Sequence, residues 1–298
     1  MKISIIGSNS YIARNFICQL DKSRFSYCLY DIHETHFDGC GNYQKVDLSS
    51  KKNISSNIDF DVDAIYIFSG KTGTKAGFDE YEKYIDVNEK YLLNILTCCA
   101  EVKTKARIVY PSSRLVYKSS EYPVNEESNL DGKSIYAITK IASENYIRLY
   151  STVFGLSYNI FRICVPFGSL IQDVKFYGTY EFFLSQAKSG KNITLFGDGS
   201  SERTFTYIGD ICKVLLDVPL MSISENEIYN IGGDNRSLLD IARVIATYFN
   251  VGVDFIEWPI VDKRIEVPTI KFNFAKLNEI YPYKYHMLGD CVMQTINP

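Results

Sequence analysis

The first half of the chain alternates between short apolar, β-branched runs and segments with helical periodicity. "ISII" precedes a predicted helix over about 11–21, and "FSYCLY" ends just before Asp31. "DAIYIF" precedes a long predicted helix over about 79–101, and "RIVYPSS" precedes a loop and a helix over about 134–153. Short buried strands separated by helices are typical of right-handed βαβ units. The pattern therefore predicts an α/β fold, a Rossmann-type doubly wound parallel sheet that binds ligands beyond the carboxyl ends of its strands.

The pattern changes after "YNIFRICVPFG", at about residue 166. Glycine-rich turns such as "FGDGSS" and "IGGDN", short strands and shorter helices follow, with no repeat and no flexible linker. We expect a Rossmann-type domain over 1–165 and a smaller mixed α/β substrate lobe over 166–298. Some interleaving of the chain between the two is expected.

Composition excludes several classes of protein. The 298 residues are 46% hydrophobic, enough for a sizeable core, and the net charge is -3 with no basic block, so we expect no nucleic acid partner. No apolar run reaches the roughly 18 residues of a membrane span, and the N-terminus lacks the apolar core of a signal peptide. The eight scattered cysteines suit reduced thiols and a cytoplasmic location. No metal site is expected, because His33, His36 and Cys40 lack a second ligand pair with zinc spacing.

The opening "MKISIIGSNSYIA" lies where a dinucleotide-binding protein places its phosphate loop. Such a loop needs backbone that approaches the pyrophosphate closely and a helix N-terminus aimed at it. Gly7 supplies the tight turn, while Ser10 and Ala13 stand where two further glycines are usual. Their small side chains still permit close approach. The residues of this stretch alone are equally compatible with an ordinary strand-to-helix turn.

Asp31 strengthens the nucleotide interpretation. It ends the second predicted strand, where an acid meets the adenosine ribose in such folds. A carboxylate there accepts hydrogen bonds from a free 2′-hydroxyl and repels a 2′-phosphate, so NAD is favoured over NADP. The alternative is a solvated turn acid. Asp47 and Leu48, in "VDLSS" after the third strand, are candidates for the adenine side.

Of the 23 tyrosines, Tyr136 alone has a lysine four residues later, Lys140 in "YAITK". Positions i and i+4 share one face of a helix. A free tyrosine, with a pKa near 10, is a poor base at neutral pH, and a nearby ammonium favours its phenolate. Ser112 and Ser113 end the fifth predicted strand, where a hydroxyl can hold the reacting oxygen of a substrate shared with Tyr136. Considered alone, a serine at the end of a strand would be interpreted as the cap of a turn.

These residues together resemble the extended short-chain dehydrogenase/reductase family, in particular its nucleotide-sugar epimerase/dehydratase group. "GSNSYIA" is similar to a relaxed GxxGxxG loop, "DAIYIFSGKTG" to the strand and loop beneath the nicotinamide, and "DVNEKYLLNIL" to the Asn-containing helix. "PSSRLVY" and "YAITK" match the catalytic Ser and the Tyr–Lys pair. The resemblance implies catalytic roles for Ser113, Tyr136 and Lys140. It implies cofactor contacts, together with Tyr136 and Lys140, from Gly7, Ser10, Tyr11, Ile12, Asp31, Asp47, Leu48, Phe68, Ser69, Gly70, Lys71 and Asn88.

The second half continues the resemblance. "LFGDGSSERTFTYIGDI" is similar to the segment whose arginine grips the diphosphate of a nucleotide sugar, which points to Arg203. "RIEVPTIKFNFAKL" places Arg264 at a second phosphate-binding arginine. Guanidinium groups suit phosphates because they donate paired hydrogen bonds. The resemblance thus makes 1–165 the NAD-binding domain, makes 166–298 the nucleotide-sugar-binding lobe, and adds Ser113 to the substrate contacts.

The chain also departs from the family pattern. Dehydratases of the group carry an Asp–Glu pair after the catalytic Thr, and this chain has Arg114 and Leu115 there. Since those carboxylates assist removal of water, 4,6-dehydration is not expected. Val165 replaces an Asn before the small lobe, and Lys118 replaces the glycine usual after "VY".

The resemblance implies hydride transfer at a sugar carbon, C4. Tyr136 would remove the hydroxyl proton, Ser113 would hold the oxygen, and Lys140 would orient the nicotinamide ribose. Epimerisation is favoured, because an epimerase recycles its cofactor and such recycling suits NAD better than a net reduction does. A 4-keto-6-deoxy nucleotide-sugar reductase using NAD(P)H is the first alternative, and a non-catalytic dinucleotide-binding regulatory module is the second. The helices near 79–101 and 134–153 resemble a dimer-forming pair, so a homodimer is expected.

Overall fold

We describe a computed structural model of the chain, which covers residues 1–172 and 178–291. The strands, in chain order, are β1 (Lys2–Ile6), β2 (Ser26–Asp31), β3 (Tyr43–Lys45), β4 (Ala64–Ile67), β5 (Arg107–Ser113), β6 (Tyr158–Ile163), β7 (Val165–Phe167), β8 (Ile193–Phe196), β9 (Glu202–Tyr207), β10 (Glu227–Asn230), β11 (Asp234–Ser237) and β12 (Val253–Ile256). The α-helices are α1 (Tyr11–Cys18), α2 (Lys51–Asn57), α3 (Ala76–Asp79), α4 (Tyr81–Ile85), α5 (Tyr91–Glu101), α6 (Ile135–Phe154), α7 (Thr179–Lys188), α8 (Ile208–Asp217), α9 (Leu238–Phe249), α10 (Ile260–Ile265) and α11 (Ala275–Ile280). A π-helical turn, Asp86–Lys90, joins α4 to α5.

In the described part of the chain, seven parallel strands form the central sheet in the order β10-β6-β5-β4-β1-β2-β3. Parallel sheets are covered on both faces, so their strands are apolar on both sides. In β4, Tyr66 packs in the cluster that contains α1 and α8 residues, while Ile65 and Ile67 pack in the cluster of α2 and α5. This confirms the predicted Rossmann-type doubly wound fold.

The smaller lobe is built around two short sheets, β11-β9-β7 and β12-β8, among the described residues. Its core joins α7 and α9 to β7, β8 and β9. Two elements from the second half return to the central sheet: β10 pairs with β6, and α8 packs against α1. The chain therefore leaves the central sheet after β6, returns to it after β9 and leaves it again after β10. Since β6 and β10 both end at the carboxyl edge of the sheet, the second lobe begins at that edge.

The helix that carries the YAITK motif has well-defined ends. Ser134 accepts a hydrogen bond from the Ala137 N–H at 3.2 Å and so caps the first turn of α6. Gly155 ends the helix in the left-handed conformation with φ +70°. Between these caps α6 runs for 20 residues, beside α5 and against β5 and β6. It holds its buried face against the strand that ends in Ser113.

Candidate active site

The turn between β1 and α1 requires a glycine at its first position. Gly7 has φ +79°, and a Cβ there would lie 2.3 Å from the Ser69 backbone nitrogen. The backbone of the loop after β4 therefore lies directly against Gly7. Ala13, in place of the third glycine, is fully buried where α1 meets the sheet. A small side chain is sufficient at that position, since only packing constrains it.

The polar atoms of this turn are arranged for a ligand. The side-chain hydroxyls of Ser8 and Ser10 are buried and have no hydrogen-bond partner among the described residues. Ser10 is the N-cap of α1 but makes no side-chain cap, so the first-turn N–H groups at Tyr11 and Ile12 face an open end. Buried polar groups are rarely left unpaired in proteins. An anion at a helix N-terminus satisfies such groups, as a pyrophosphate would.

Asp31 links the phosphate turn to the end of β2. Its carboxylate accepts the Asn9 N–H at 2.9 Å and the Ile32 N–H at 2.8 Å, and lies 2.7 Å from Nδ1 of His33. Beyond it a cavity of about 390 Å³ extends along the carboxyl edge of β1, β2 and β4. Its lining includes eight of the predicted cofactor residues, Gly7, Ser10, Asp31, Asp47, Leu48, Phe68, Ser69 and Gly70.

The remaining predicted cofactor residues lie outside this lining. The Tyr11 hydroxyl donates to the Gly168 carbonyl at 2.6 Å, so its side chain ties α1 to the chain after β7. Asn88, in the π-helical turn, accepts the Lys71 N–H at 2.7 Å and donates to the Lys71 carbonyl at 3.0 Å and to Thr139 Oγ1 at 2.9 Å. Asn88 thus fixes the loop after β4 to helix α6.

Lys140 lies at the end of the cavity, beside the same loop. A Cβ built on Gly70 would lie 4.0 Å from the Lys140 ammonium and 3.5 Å from Asn88 Oδ1. The ammonium donates to the Tyr110 hydroxyl and to the Pro111 carbonyl, both at 2.8 Å. Burial lowers the pKa of Lys140, and the nearby Tyr136 and Glu144 act in the opposite direction. The structure therefore places Tyr136 and Lys140 near each other, beside the glycine that lines one side of the cavity.

Ser113 completes this group at the last residue of β5. Its side chain is buried, and Oγ accepts the Leu115 N–H at 3.2 Å, which starts the 3₁₀ turn Arg114–Val116. Since the strands of the sheet are parallel, the ends of β1, β4 and β5 meet at one edge. The predicted catalytic residues and the predicted cofactor residues thus share that edge.

The two predicted phosphate-binding arginines have different surroundings. Arg203, on β9, is 4% exposed; it donates to Thr179 Oγ1 at 2.8 Å and to Glu266 Oε1 at 2.7 Å. Its Nε is buried and has no hydrogen-bond partner among the described residues. Arg264 lies exposed near the end of α10. The structure does not bring Arg264 into the cluster around Arg203.

The model of the NAD dependent epimerase/dehydratase family matches residues 3–232, most of the chain. The chain belongs to this family. A putative UDP-glucose 4-epimerase of Methanocaldococcus jannaschii is 24% identical to this epimerase/dehydratase-family enzyme over 251 residues, which are 82% of this chain and 81% of the relative.

Solved structures at lower identity share the fold of the enzyme. A UDP-glucose 4-epimerase from Thermus thermophilus, in complex with NAD, has a TM-score of 0.85 at 18% identity and covers 100% of this chain and 98% of its own. A dTDP-glucose 4,6-dehydratase from Streptomyces venezuelae, also with NAD, has a TM-score of 0.85 at 19% identity, with 99% and 96% covered. These structures confirm the predicted fold, and the family model confirms the predicted family and its NAD cofactor.

The residues of the enzyme fit NAD at this cavity. Gly7 leaves the space that a Cβ would fill, and Ser8 and Ser10 present buried hydroxyls that have no partner in the described part of the chain. Asp31 lies at the end of β2, at the position expected for the ribose contact. Bound there, NAD supplies the hydride acceptor and donor that side chains lack. Among residues 1–172 and 178–291, no cluster of three metal-ligating side chains was found. Over the same residues, no helix has the length and apolarity to span a membrane.

Sequence reasoning missed several residues that shape the site. Glu144 lies one turn after Lys140 and accepts hydrogen bonds from Ser112 Oγ at 2.5 Å and from Arg162 Nη2 at 2.6 Å. The i, i+4 spacing that identified Lys140 also reaches Glu144, so a signal was present. Tyr110, the partner of Lys140, had no such signal, because its contact joins β5 to α6.

Proposed function

We propose that the enzyme is an NAD-dependent nucleotide-sugar epimerase that transfers a hydride at C4 of the sugar. The observation that carries the proposal is the single edge shared by Ser113, Tyr136 and Lys140 with the cavity lined by Gly7 and Gly70. A sugar hydroxyl between Ser113 and Tyr136 would present its carbon to the nicotinamide end of that cavity. A regulatory module would have no need of this set of groups.

Each side chain has a distinct role in the proposal. Tyr136 takes the proton of the sugar hydroxyl when the alcohol is oxidised and returns it when the ketone is reduced. Ser113 holds the same oxygen through a hydrogen bond. Lys140, fixed by Tyr110 and Pro111, lies beside Gly70, where its ammonium would bind the nicotinamide ribose. Positioning and electrostatics are what the protein contributes.

Epimerisation at C4 is favoured over the other reactions of the family. The similar protein from Methanocaldococcus jannaschii is named a putative UDP-glucose 4-epimerase, and a UDP-glucuronate 4-epimerase of Thermodesulfobacterium geofontis is 26% identical over 188 residues. The dehydratase acids are replaced by Arg114 and Leu115. Without those acids, elimination of water lacks its acid and base.

A substrate panel tests this proposal. The enzyme with NAD is incubated with UDP-glucose, UDP-glucuronate and their N-acetyl and dTDP counterparts, and the products are analysed by proton NMR. We expect interconversion of C4 epimers with no net change in nicotinamide absorbance. Stoichiometric consumption of NADH with a 4-keto sugar would instead establish a reductase. Tight NAD binding without turnover of any sugar would favour the regulatory module.

We also propose that the enzyme is a cytoplasmic homodimer. On α6, Leu149, Val153 and Phe154 are 55%, 59% and 57% exposed, and on α4 Tyr81 and Ile85 are 51% and 45% exposed. A dimer formed through these two helices would cover such exposed apolar side chains. All eight cysteines are free thiols, which suits a reducing compartment. Light scattering at micromolar concentration should give twice the chain mass, and a monomeric mass would refute the dimer.

A further inference from the structure

Arg114 is buried beside the predicted substrate site, although no motif assigns it a function. It follows Ser113 directly and is 8% exposed. Its guanidinium donates to the Val267 carbonyl at 3.0 Å and lies 3.5 Å from Glu266 Oε1. The same oxygen of Glu266 accepts from Arg203 at 2.7 Å. We call Arg114, Arg203 and Glu266 the paired-arginine cluster.

The charges of the paired-arginine cluster do not balance. Two guanidinium groups face one carboxylate, and both arginine side chains are less than a tenth exposed. Burial lowers the pKa of Arg203 to about 10, and the charge of Arg114 contributes to this shift. Buried charges are ordinarily paired, since an uncompensated one is costly. Among the residues that the structure describes, the cluster therefore lacks one negative charge.

The hydrogen bonds of the paired-arginine cluster also leave one donor without an acceptor among the described residues. Nε of Arg203 is buried and has no partner among the described residues. Glu266 is the most accessible member, with 20% of its side chain exposed. An anion entering beside Glu266 would supply both the missing charge and an acceptor for Nε.

We propose, on the basis of the proposed function, that Arg114 and Arg203 together bind an oxyanion of the substrate and that Glu266 is the resident counterion with which this oxyanion competes. Arg114 thus becomes a substrate-binding residue in addition to Arg203. The oxyanion is a phosphate of the nucleotide diphosphate or a carboxylate on the sugar. Paired guanidinium groups recognise either through parallel hydrogen bonds.

The test measures anion binding directly, without turnover. Inorganic pyrophosphate and D-glucuronate are titrated by calorimetry into the NAD-loaded enzyme and its variants. In Arg114→Met we expect the affinity for one of these probes to fall about tenfold, as for loss of one charge-assisted hydrogen bond. Sensitivity to pyrophosphate assigns the diphosphate, and sensitivity to glucuronate assigns an acidic sugar. Arg243→Met, an exposed position on α9, is the matched control and should bind as the wild type does.

Glu266→Gln separates this proposal from a purely structural ion pair. If Glu266 competes with the ligand, its neutralisation should raise the affinity for the same probe several-fold. Unchanged or weaker binding in Glu266→Gln, or unchanged binding of both probes in Arg114→Met, would overturn the proposal. The calorimetry measures anion binding without turnover, so its result can be interpreted even if the enzyme shows no epimerase activity. In the same way, epimerase activity can be assessed even if neither variant changes anion binding.

Discussion

Replacement of Glu144 by glutamine should destabilise the enzyme strongly, although the shape of the side chain is kept. Glu144 and Arg162 are a buried pair, with side chains 4% and 3% exposed, joined by hydrogen bonds of 3.0 Å and 2.6 Å. Burial acts to lower the pKa of Arg162, but the hydrogen bonds and charge of Glu144 outweigh it and raise the pKa. Because a guanidinium group is not deprotonated in proteins, the arginine stays charged when its partner is neutralised.

The magnitude follows from these contacts. Two charge-assisted hydrogen bonds contribute about 1.5–3 kcal/mol each, and removing one member of a buried ion pair costs about 3–5 kcal/mol. For Glu144→Gln we expect a loss of about 3–5 kcal/mol in the free energy of unfolding. At roughly 2 °C per kcal/mol for a chain of this size, the melting temperature should fall by at least about 6 °C.

Urea unfolding followed by circular dichroism measures this loss. Glu101→Gln is the matched control, because Glu101 pairs with Lys51 on the surface, where side chains are 56% and 45% exposed. Such an exposed pair contributes less than about 1 kcal/mol. A second variant, Glu144→Gln with Arg162→Met, should recover part of the lost stability, since it removes the unpaired charge. A loss below about 1 kcal/mol in Glu144→Gln would refute the reasoning.

Three further perturbations test other parts of the structure. Gly7→Ala should abolish NAD binding and destabilise the fold, because its Cβ would lie 2.3 Å from backbone. At Gly39, with φ +65°, an added Cβ would meet no atom of the described residues within 4 Å apart from its chain neighbours. Gly39→Ala should therefore lose only the roughly 1 kcal/mol of left-handed strain and keep NAD affinity in calorimetry. Asp31→Asn should reduce the preference for NAD over NADP by about tenfold in paired titrations, since it removes a charge that repels the 2′-phosphate; an unchanged ratio would contradict that role. The hydrogen bond from Arg14 holds the pKa of Asp38 below its usual range, so its stabilisation is present above the unfolded pKa of about 3.9 and is lost as pH falls through the lower folded value. Asp38→Asn should therefore cost at most about 1 kcal/mol at neutral pH and nothing in strong acid, and a pH-independent cost in urea titrations would count against the ion pair.

The sequence predicted the sheet and the edge of the site because both depend on local patterns. Strand order follows from alternating apolar runs, and Tyr136 and Lys140 meet through the geometry of one helix. Gly7 could be read as a required turn residue from its place between strand and helix. Ser10 was read only as a small substitute for glycine, and Ser8 was not singled out. The structure shows that the hydroxyls of both serines are buried and have no partner among the described residues.

The features that the sequence did not predict depend on contacts between distant segments. The long helix expected over 79–101 is interrupted by the π-helical turn Asp86–Lys90, which places Asn88 against Lys71 and Thr139. Helical periodicity contains no signal for such a turn, because these tertiary hydrogen bonds stabilise it. Arg114 was recognised only as a departure from the family pattern, since its partner Val267 lies 153 residues away. No local rule connects residues at that separation.

The central claim is that Tyr136 exchanges the substrate proton beside bound NAD, and one comparison tests it most directly. Tyr136→Phe is compared with Tyr122→Phe, whose ring is 80% exposed, in NAD calorimetry and in turnover of the substrate that the panel identifies. The account predicts that both variants bind NAD as the wild type does, and that Tyr136→Phe alone loses about 10²- to 10⁴-fold in turnover. Turnover by Tyr136→Phe at the wild-type rate, with NAD bound, would contradict the account.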